Sequence, residues 1–217
     1  IKKDLFFDDK GNKIPFNKAK NSGLSIGAPG AVAVLKLAHQ DHGRLAWKDV
    51  FSPALRLSSE GFPVSARLHG SIVSNENKFY KNIKEGPTEL YDYLHLDDGR
   101  ALPEGHILKN PKYYKTLEVI ASNPDDFYRG EIARSIADSA QQMPNGGKLS
   151  IEDIANYNAV KRDAYCSKYR NTTLCGSALP SSWVSVSMVM SILNEAPQFS
   201  KEGADDPENW TLLAEAL

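Results

Sequence analysis

Residues 31–38 read Ala-Val-Ala-Val-Leu-Lys-Leu-Ala, an apolar run interrupted only by Lys36. A helix apolar on nearly all sides is a buried one, so the pattern predicts a buried helix here. It is entered through the breaker cluster Gly27-Ala28-Pro29-Gly30, where glycine permits unusual backbone angles and proline suits a first helical turn. The run turns polar at His39-Gln40-Asp41-His42, and Gly43 is placed to stop it. Ser52-Pro53 predicts a second helix as N-cap and first position, with Ala54, Leu55 and Leu57 facing inward and Gly61 at its end. Phe62-Pro63-Val64 is expected to be extended, because the residue before proline is pushed out of the helical region.

The same reading extends along the rest of the chain. Asp8-Asp9-Lys10-Gly11-Asn12 is a turn between Phe6-Phe7 and Ile14-Pro15-Phe16, and the polar run 17–22 reads as surface loop. A helix is expected from Ser65 through Leu68 and Ile72 toward Phe79, with a break at Glu85-Gly86-Pro87. Asp97-Asp98-Gly99-Arg100 is a tight turn. Asn110-Pro111 caps and opens a helix bearing Leu117, Val119, Ile120 and Ala121. Asn123-Pro124-Asp125-Asp126 opens another, with acidic residues at the positive helix end. Ile132, Ile136 and Ala140 form a helical stripe ending at Asn145-Gly146-Gly147. Ser150-Ile151-Glu152-Asp153 has the spacing of a capping box. A hairpin is expected between Val160 and Ser177, turning at Arg170-Asn171. Pro180-Ser181-Ser182 then precedes a helix whose Val184, Met188, Val189, Ile192 and Leu193 are expected to be buried, and Trp210–Leu217 reads as part of a last helix.

Composition narrows the class. The chain has 217 residues, 41% hydrophobic and 24% charged, which suits one soluble domain with a sizeable core. Its 26 basic and 27 acidic residues give a net charge of −1, which argues against a nucleic-acid partner. No apolar run approaches the ~20 residues a membrane helix needs. The abrupt opening Ile1-Lys2-Lys3-Asp4 leads us to expect a further part upstream. Cys166 and Cys175 are the two cysteines and would face each other across the expected hairpin. A disulfide, which would fit an extracytoplasmic compartment, and a pair of free thiols both satisfy the sequence. Asn171-Thr172-Thr173 and Asn209-Trp210-Thr211 match the glycosylation pattern, a common chance occurrence.

Read from the residues alone, candidate chemistry is sparse. His39 and His42 share a helix end but have no evident third metal ligand, so they read as solvated positions. His69, His95 and His106 are isolated, and Asp97-Asp98 and Asp205-Asp206 read as turn and loop carboxylates. Ser181-Ser182 would need a neighbouring base to act as a nucleophile, and helix capping explains them better. There is no phosphate loop, dinucleotide fingerprint or zinc-spaced Cys/His set. No cofactor or metal is expected.

A resemblance supplies what composition does not. Gly27-Ala28-Pro29-Gly30, His42-Gly43-Arg44-Leu45-Ala46-Trp47, Pro53-Ala54-Leu55-Arg56-Leu57 and Glu60-Gly61-Phe62-Pro63-Val64 resemble, in order, the large subunit of the γ-glutamyltranspeptidases. The likeness continues through Asn-Pro-x-x-Phe-Tyr-x-Gly-Glu-Ile-Ala at 123–133 and Gly-Gly-x-Leu-Ser-x-Glu-Asp-Ile-Ala-x-Tyr at 146–157. It takes in Tyr169-Arg170, Pro180-Ser181-Ser182 and Ala214-Glu215-Ala216, and so covers nearly the whole chain.

The resemblance implies an α+β, helix-rich part of an αββα N-terminal-nucleophile hydrolase sandwich, with residues 1–217 as a single-domain fragment of the large subunit. The precursor would cut itself ahead of a threonine. That threonine, now leading a separate small subunit, would be the nucleophile and its α-amino group, titrating near pH ~8, the base. The γ-glutamyl group of glutathione or a related amide would pass through it to water or an acceptor amine, with backbone N–H groups stabilising the oxyanion. Arg44, Arg56 and Arg67 do not match the family's substrate-carboxylate arginine, and Thr172-Thr173 does not match the nucleophile motif, so no catalytic residue is assigned. Pro180, Ser181 and Ser182 are expected near the active site. The resemblance also implies a periplasmic or secreted location. Trp183-Val184 stands where the family usually has Gly-Gly, which reads either as a lost feature or as a sequence shortened after Ser182. The rivals are a glutaryl- or cephalosporin-acylase or poly-γ-glutamate depolymerase of the same fold, and a catalytically degenerate homologue acting as an interaction protein.

Overall fold

The deepest side chains include Ala133, Ala140 and Ile154, all fully out of solvent, and the architecture is most simply followed outward from them. The computed structural model describes residues 4–75, 88–143, 146–196, 199 and 203–217. By internal packing the chain divides into two compact units, Ile1–Ala159 and Val160–Leu217. The protein is α+β and helix-rich.

The first unit opens with the Asp8–Asn12 turn, in which the Asp8 carboxylate accepts from the amides of Lys10 and Asn12. Helix α1 (Phe16–Lys20) and a 3-10 turn at Gly23–Ser25 follow. Residues 17–20 of the expected surface loop are thus helical. The helix stops where the Ser22 hydroxyl, buried, donates to Ala19 O and accepts from Leu24 N.

Helix α2 (Ala31–His42) has the expected limits, but it buries no residue. Val32 and Ala33 pack partly on the core, whereas Val34 and Leu35 are 52% and 60% exposed. Apolar periodicity reports that a helix wants apolar surroundings on most sides, not which element provides them.

A 3-10 helix (Trp47–Phe51) runs directly into α3 (Ser52–Glu60). Ser52 is therefore already helical and makes no capping hydrogen bond, contrary to the expectation for Ser52-Pro53. Ala54 and Leu57 are exposed and Leu55 is half-buried; α3 instead buries Ser58, whose carbonyl accepts from Asn110 N. Gly61, at φ 91°, ends the helix.

Strand β1 (Phe62–Pro63) is extended as expected and, after α4 (Ala66–Asn75) and α5 (Thr88–Leu94), pairs antiparallel with β2 (Ile107–Leu108). Val64, Ile72, Leu102 and Leu108 close a small core beneath them. Phe79 and Glu85-Gly86-Pro87 lie outside the described residues. The turn at Asp97–Arg100 is present, with Gly99 at φ 79° and Asp98 paired to Arg100.

The main core is built by α6 (Pro111–Ser122), α7 (Asp126–Arg129), α8 (Glu131–Gln142) and α9 (Ile151–Ala155). Asn110 caps α6 through Tyr113 N at 2.8 Å, and Ser150 and Asp153 form the full capping box of α9. Ile132 and Ile136 are partly buried, while the deepest stripe of α8 is Ala133, Ala137 and Ala140. Small side chains there let backbones approach closely. Gly147 N donates to Ala140 O, and a Cβ on either Gly147 or Gly23 would collide with the other segment's backbone. Helix α8 ends at Gln142, earlier than expected, and Asn145 lies outside the described residues.

The second unit is the hairpin β3 (Ala164–Tyr169) and β4 (Thr172–Ser177), then α10 (Trp183–Glu195) and α11 (Pro207–Ala216). The hairpin turns at Arg170-Asn171, with Arg170 at φ 52°. The expected burial of α10 is not met. Leu193 is buried, but Met188 and Ile192 are 62% and 53% exposed. The reason is that of α2: the helix is apolar, and within this unit only part of it is covered. Asp206 caps α11 through Glu208 N.

Candidate functional site

The stretch Pro180-Ser181-Ser182 links β4 to α10 and is assembled by local hydrogen bonds. The Leu179–Pro180 peptide is cis, and Leu179 O accepts from the Arg162 guanidinium at 2.8 Å. Ser181 N donates to Ala178 O, and Ser181 Oγ accepts from Trp183 N at 3.3 Å. Ser182 sits at the N-cap position without a side-chain cap, and its carbonyl accepts from Val186 N. The capping role expected of the pair thus falls to Ser181 alone. Its hydroxyl is engaged in shaping the entry to α10.

Trp183 follows at once, and its indole turns back onto the hairpin. Nε1 donates to Tyr165 O at 2.7 Å on β3, and the ring covers Gly176 on β4. A Cβ at Gly176 would overlap the indole. The tryptophan that departs from the family pattern is therefore seated on a matching gap in its own hairpin. Ahead of it, Cys166 and Cys175 face each other in register and are joined by a disulfide, with Cα atoms 4.1 Å apart. At the turn, Arg170 N donates to Asn194 Oδ1 and its guanidinium donates to Phe199 O.

In the first unit, one hydroxyl joins two of the family-like stretches. Tyr128 donates to Pro29 O at 2.8 Å and accepts from Ala33 N at 2.8 Å. Ala33 N is one of the first donors of α2 with no partner inside the helix, so Tyr128 caps α2 from a distant segment. Burial pushes the phenol up from its ordinary value, and the bond from Ala33 partly opposes this. Lys36 of α2 is bonded to both carboxylate oxygens of Asp125 at 2.8 Å, and the indole of Trp47 donates to Ile120 O. The sequence held no periodic signal for these links; their only trace was the presence of both stretches in one chain.

A shallow cavity of about 380 Å³ lies between α5 and β2, lined in part by Asp92, His95, Asp97, His106 and Lys109. Among the described residues no group of three His, Cys, Asp or Glu side chains is arranged to hold a metal ion. His39, paired with Leu45 O and edge-on to Trp47, is structural. His69 bonds Leu102 O in the same way. No helix of the described residues is long and apolar enough to cross a membrane.

A family model described as Gamma-glutamyltranspeptidase matches residues 1–217. The chain is 34% identical over 196 residues to Scoloptoxin SSD14 of Scolopendra dehaani, covering 89% of this chain and 33% of that protein. It is 32% identical over 216 residues to the Glutathione hydrolase proenzyme of Escherichia coli K12, covering 99% of this chain and 36% of that one. The chain thus spans about a third of the length of these curated relatives. Among solved structures, Helicobacter pylori gamma-glutamyltranspeptidase shares the fold, with a TM-score of 0.84 at 24% identity over 100% of this chain and 60% of that one. With the family model running from the first residue to the last, through the stretches that Tyr128, Gly147 and the β3–β4 hairpin hold in place, this chain belongs to the gamma-glutamyltranspeptidase family.

Proposed function

We propose that this chain is the large-subunit portion of an enzyme that cleaves γ-glutamyl amides such as glutathione. The γ-glutamyl group would pass to water or to the amine of an amino acid or peptide. The observation that carries this reading is the family match over residues 1–217, supported by relatives named glutathione hydrolase proenzyme. The nucleophile is the threonine leading a separate small subunit. Its hydroxyl oxygen attacks the γ-carbonyl carbon and its α-amine takes the proton; the substrate amine then leaves protonated, and an ester remains for the second acceptor.

The role of this chain is to support that site. The Pro180–Ser182 segment lies beside the substrate, held by Arg162 and by the Ser181–Trp183 bond. The exposed apolar faces of α2 and α10 are the surfaces that the remainder of the enzyme covers. The Cys166–Cys175 disulfide supports a periplasmic or secreted location. No cofactor is needed.

An intact-mass and N-terminal analysis of the full-length product tests this, together with turnover of a γ-glutamyl anilide. The expected result is a second chain beginning with threonine and hydrolysis of the anilide. An unprocessed product with no turnover would overturn it. Trp183 at the usual Gly-Gly position favours one alternative, a degenerate homologue that binds without catalysis. A processed but inactive heterodimer would identify that case.

A further inference from the structure

The hairpin tip carries a motif that the enzymatic reading leaves unused. Asn171-Thr172-Thr173 and Asn209-Trp210-Thr211 both have the Asn-x-Thr pattern of N-glycosylation. The fold separates them. Asn209 lies in the first turn of α11, is 4% exposed, and its Nδ2 donates to Gly203 O at 2.9 Å. In the folded chain a sugar on that nitrogen has no room. Asn171 is the second residue of the two-residue β3–β4 turn, and Asn171, Thr172 and Thr173 are all exposed. Arg170 anchors the turn from its other side through Asn194 and Phe199, so the tip is held in place without using the Asn171 side chain. The disulfide between Cys166 and Cys175 braces the same hairpin. Disulfides persist where secreted proteins mature as well as in a periplasm, so the bond is consistent with the environment the motif needs.

We infer that Asn171 is an N-glycosylation site, carrying its glycan outward from the hairpin tip. In the transfer, Asn171 Nδ2 bonds to the anomeric carbon of an oligosaccharide carried on a polyprenyl diphosphate. The carbon–oxygen bond to the diphosphate breaks, the lipid diphosphate leaves with the electron pair, and Nδ2 gives up one proton to the transferase. Nothing is oxidised or reduced. The Thr173 hydroxyl is the recognition element two residues on. The inference rests on the secreted arm of the extracytoplasmic reading above and is independent of the enzymatic one.

The test is peptide mass mapping of the full-length protein secreted from eukaryotic cells. It is run before and after endoglycosidase release in heavy-oxygen water, with the cysteines mapped in the same sample. The expected result is a glycan mass on the Asn171 peptide that is lost on release, leaving a heavy-oxygen aspartate, with Asn209 unmodified. Thr173→Ala should abolish that shift in protein that is still secreted. An unmodified Asn171 peptide in secreted protein whose Cys166–Cys175 bond is intact would overturn the glycan assignment alone. Reduced cysteines in secreted protein would overturn the disulfide from which the compartment is argued. Neither result bears on γ-glutamyl turnover, which is assayed separately.

Discussion

Trp183 covers Gly176: the indole rests where a Cβ on the glycine would have to be, and its Nε1 is bonded to Tyr165 O on the neighbouring strand. Gly176→Ala should therefore destabilise the hairpin by about 1–3 kcal/mol, as forced overpacking does. In a Trp183→Ala background the same substitution should cost much less, giving a coupling of about 0.5–3 kcal/mol between neighbours. Urea unfolding of the four proteins measures it, and additive effects would show that the two residues do not depend on each other.

Tyr128→Phe keeps the ring and removes the hydroxyl. Pro29 O then loses its donor and Ala33 N its acceptor, at about 1–3 kcal/mol for groups left unsatisfied. The loss should appear as faster amide exchange at Ala33, while the capping box of α9 keeps its protection. Unchanged exchange at Ala33 would mean that water replaces the phenol without penalty.

Ile154 is fully buried on α9 against the α7–α8 core. Ile154→Ala should cost about 2–5 kcal/mol through lost transfer energy and the cavity left behind. Ile151→Ala, at a half-buried position on the same helix, should cost clearly less. Thermal unfolding of the two variants side by side checks the order.

Acid should loosen two turns before it unfolds the core. The side-chain bond from Arg100 holds the Asp98 carboxyl below its ordinary value of 3.8, and the backbone bond from Asn12 does the same for Asp8. A group depressed in the folded state stabilises fully above its unfolded value, and that contribution is lost as pH falls through the lower folded value. Exchange protection of the Arg100 and Asn12 amides should therefore hold at neutral pH and fall below about pH 4. Protection that does not change with acid would rule the carboxylates out as the cause.

Local chemistry was the legible part of this fold. Asn110 and Ser150 announced their caps, Asp97–Arg100 its turn, and Arg170-Asn171 its hairpin, because each is settled within four residues of chain. Burial is not legible at Val34, Leu35, Met188 and Ile192, where an apolar pattern states a need that this chain alone does not fill. Ser52 does not cap its helix because a preceding 3-10 helix has already begun the turn. Around the candidate site, Pro180–Ser182 could be named but not its supports. Arg162 reaches Leu179 from 17 residues away and Trp183 reaches Tyr165 from 18, and neither separation carries a period.

The Tyr128 bridge also bears on the order of folding events. Its bond to Pro29 closes a loop of 99 residues, and a contact so distant in sequence offers little until the helices between have settled. Such a latch is made late on the way in and is among the first to be released on the way out. Tyr128→Phe should thus leave the refolding arm of a chevron almost unmoved and steepen the rate of escape from the native state, making this hydroxyl a brake on unfolding rather than a seed for folding.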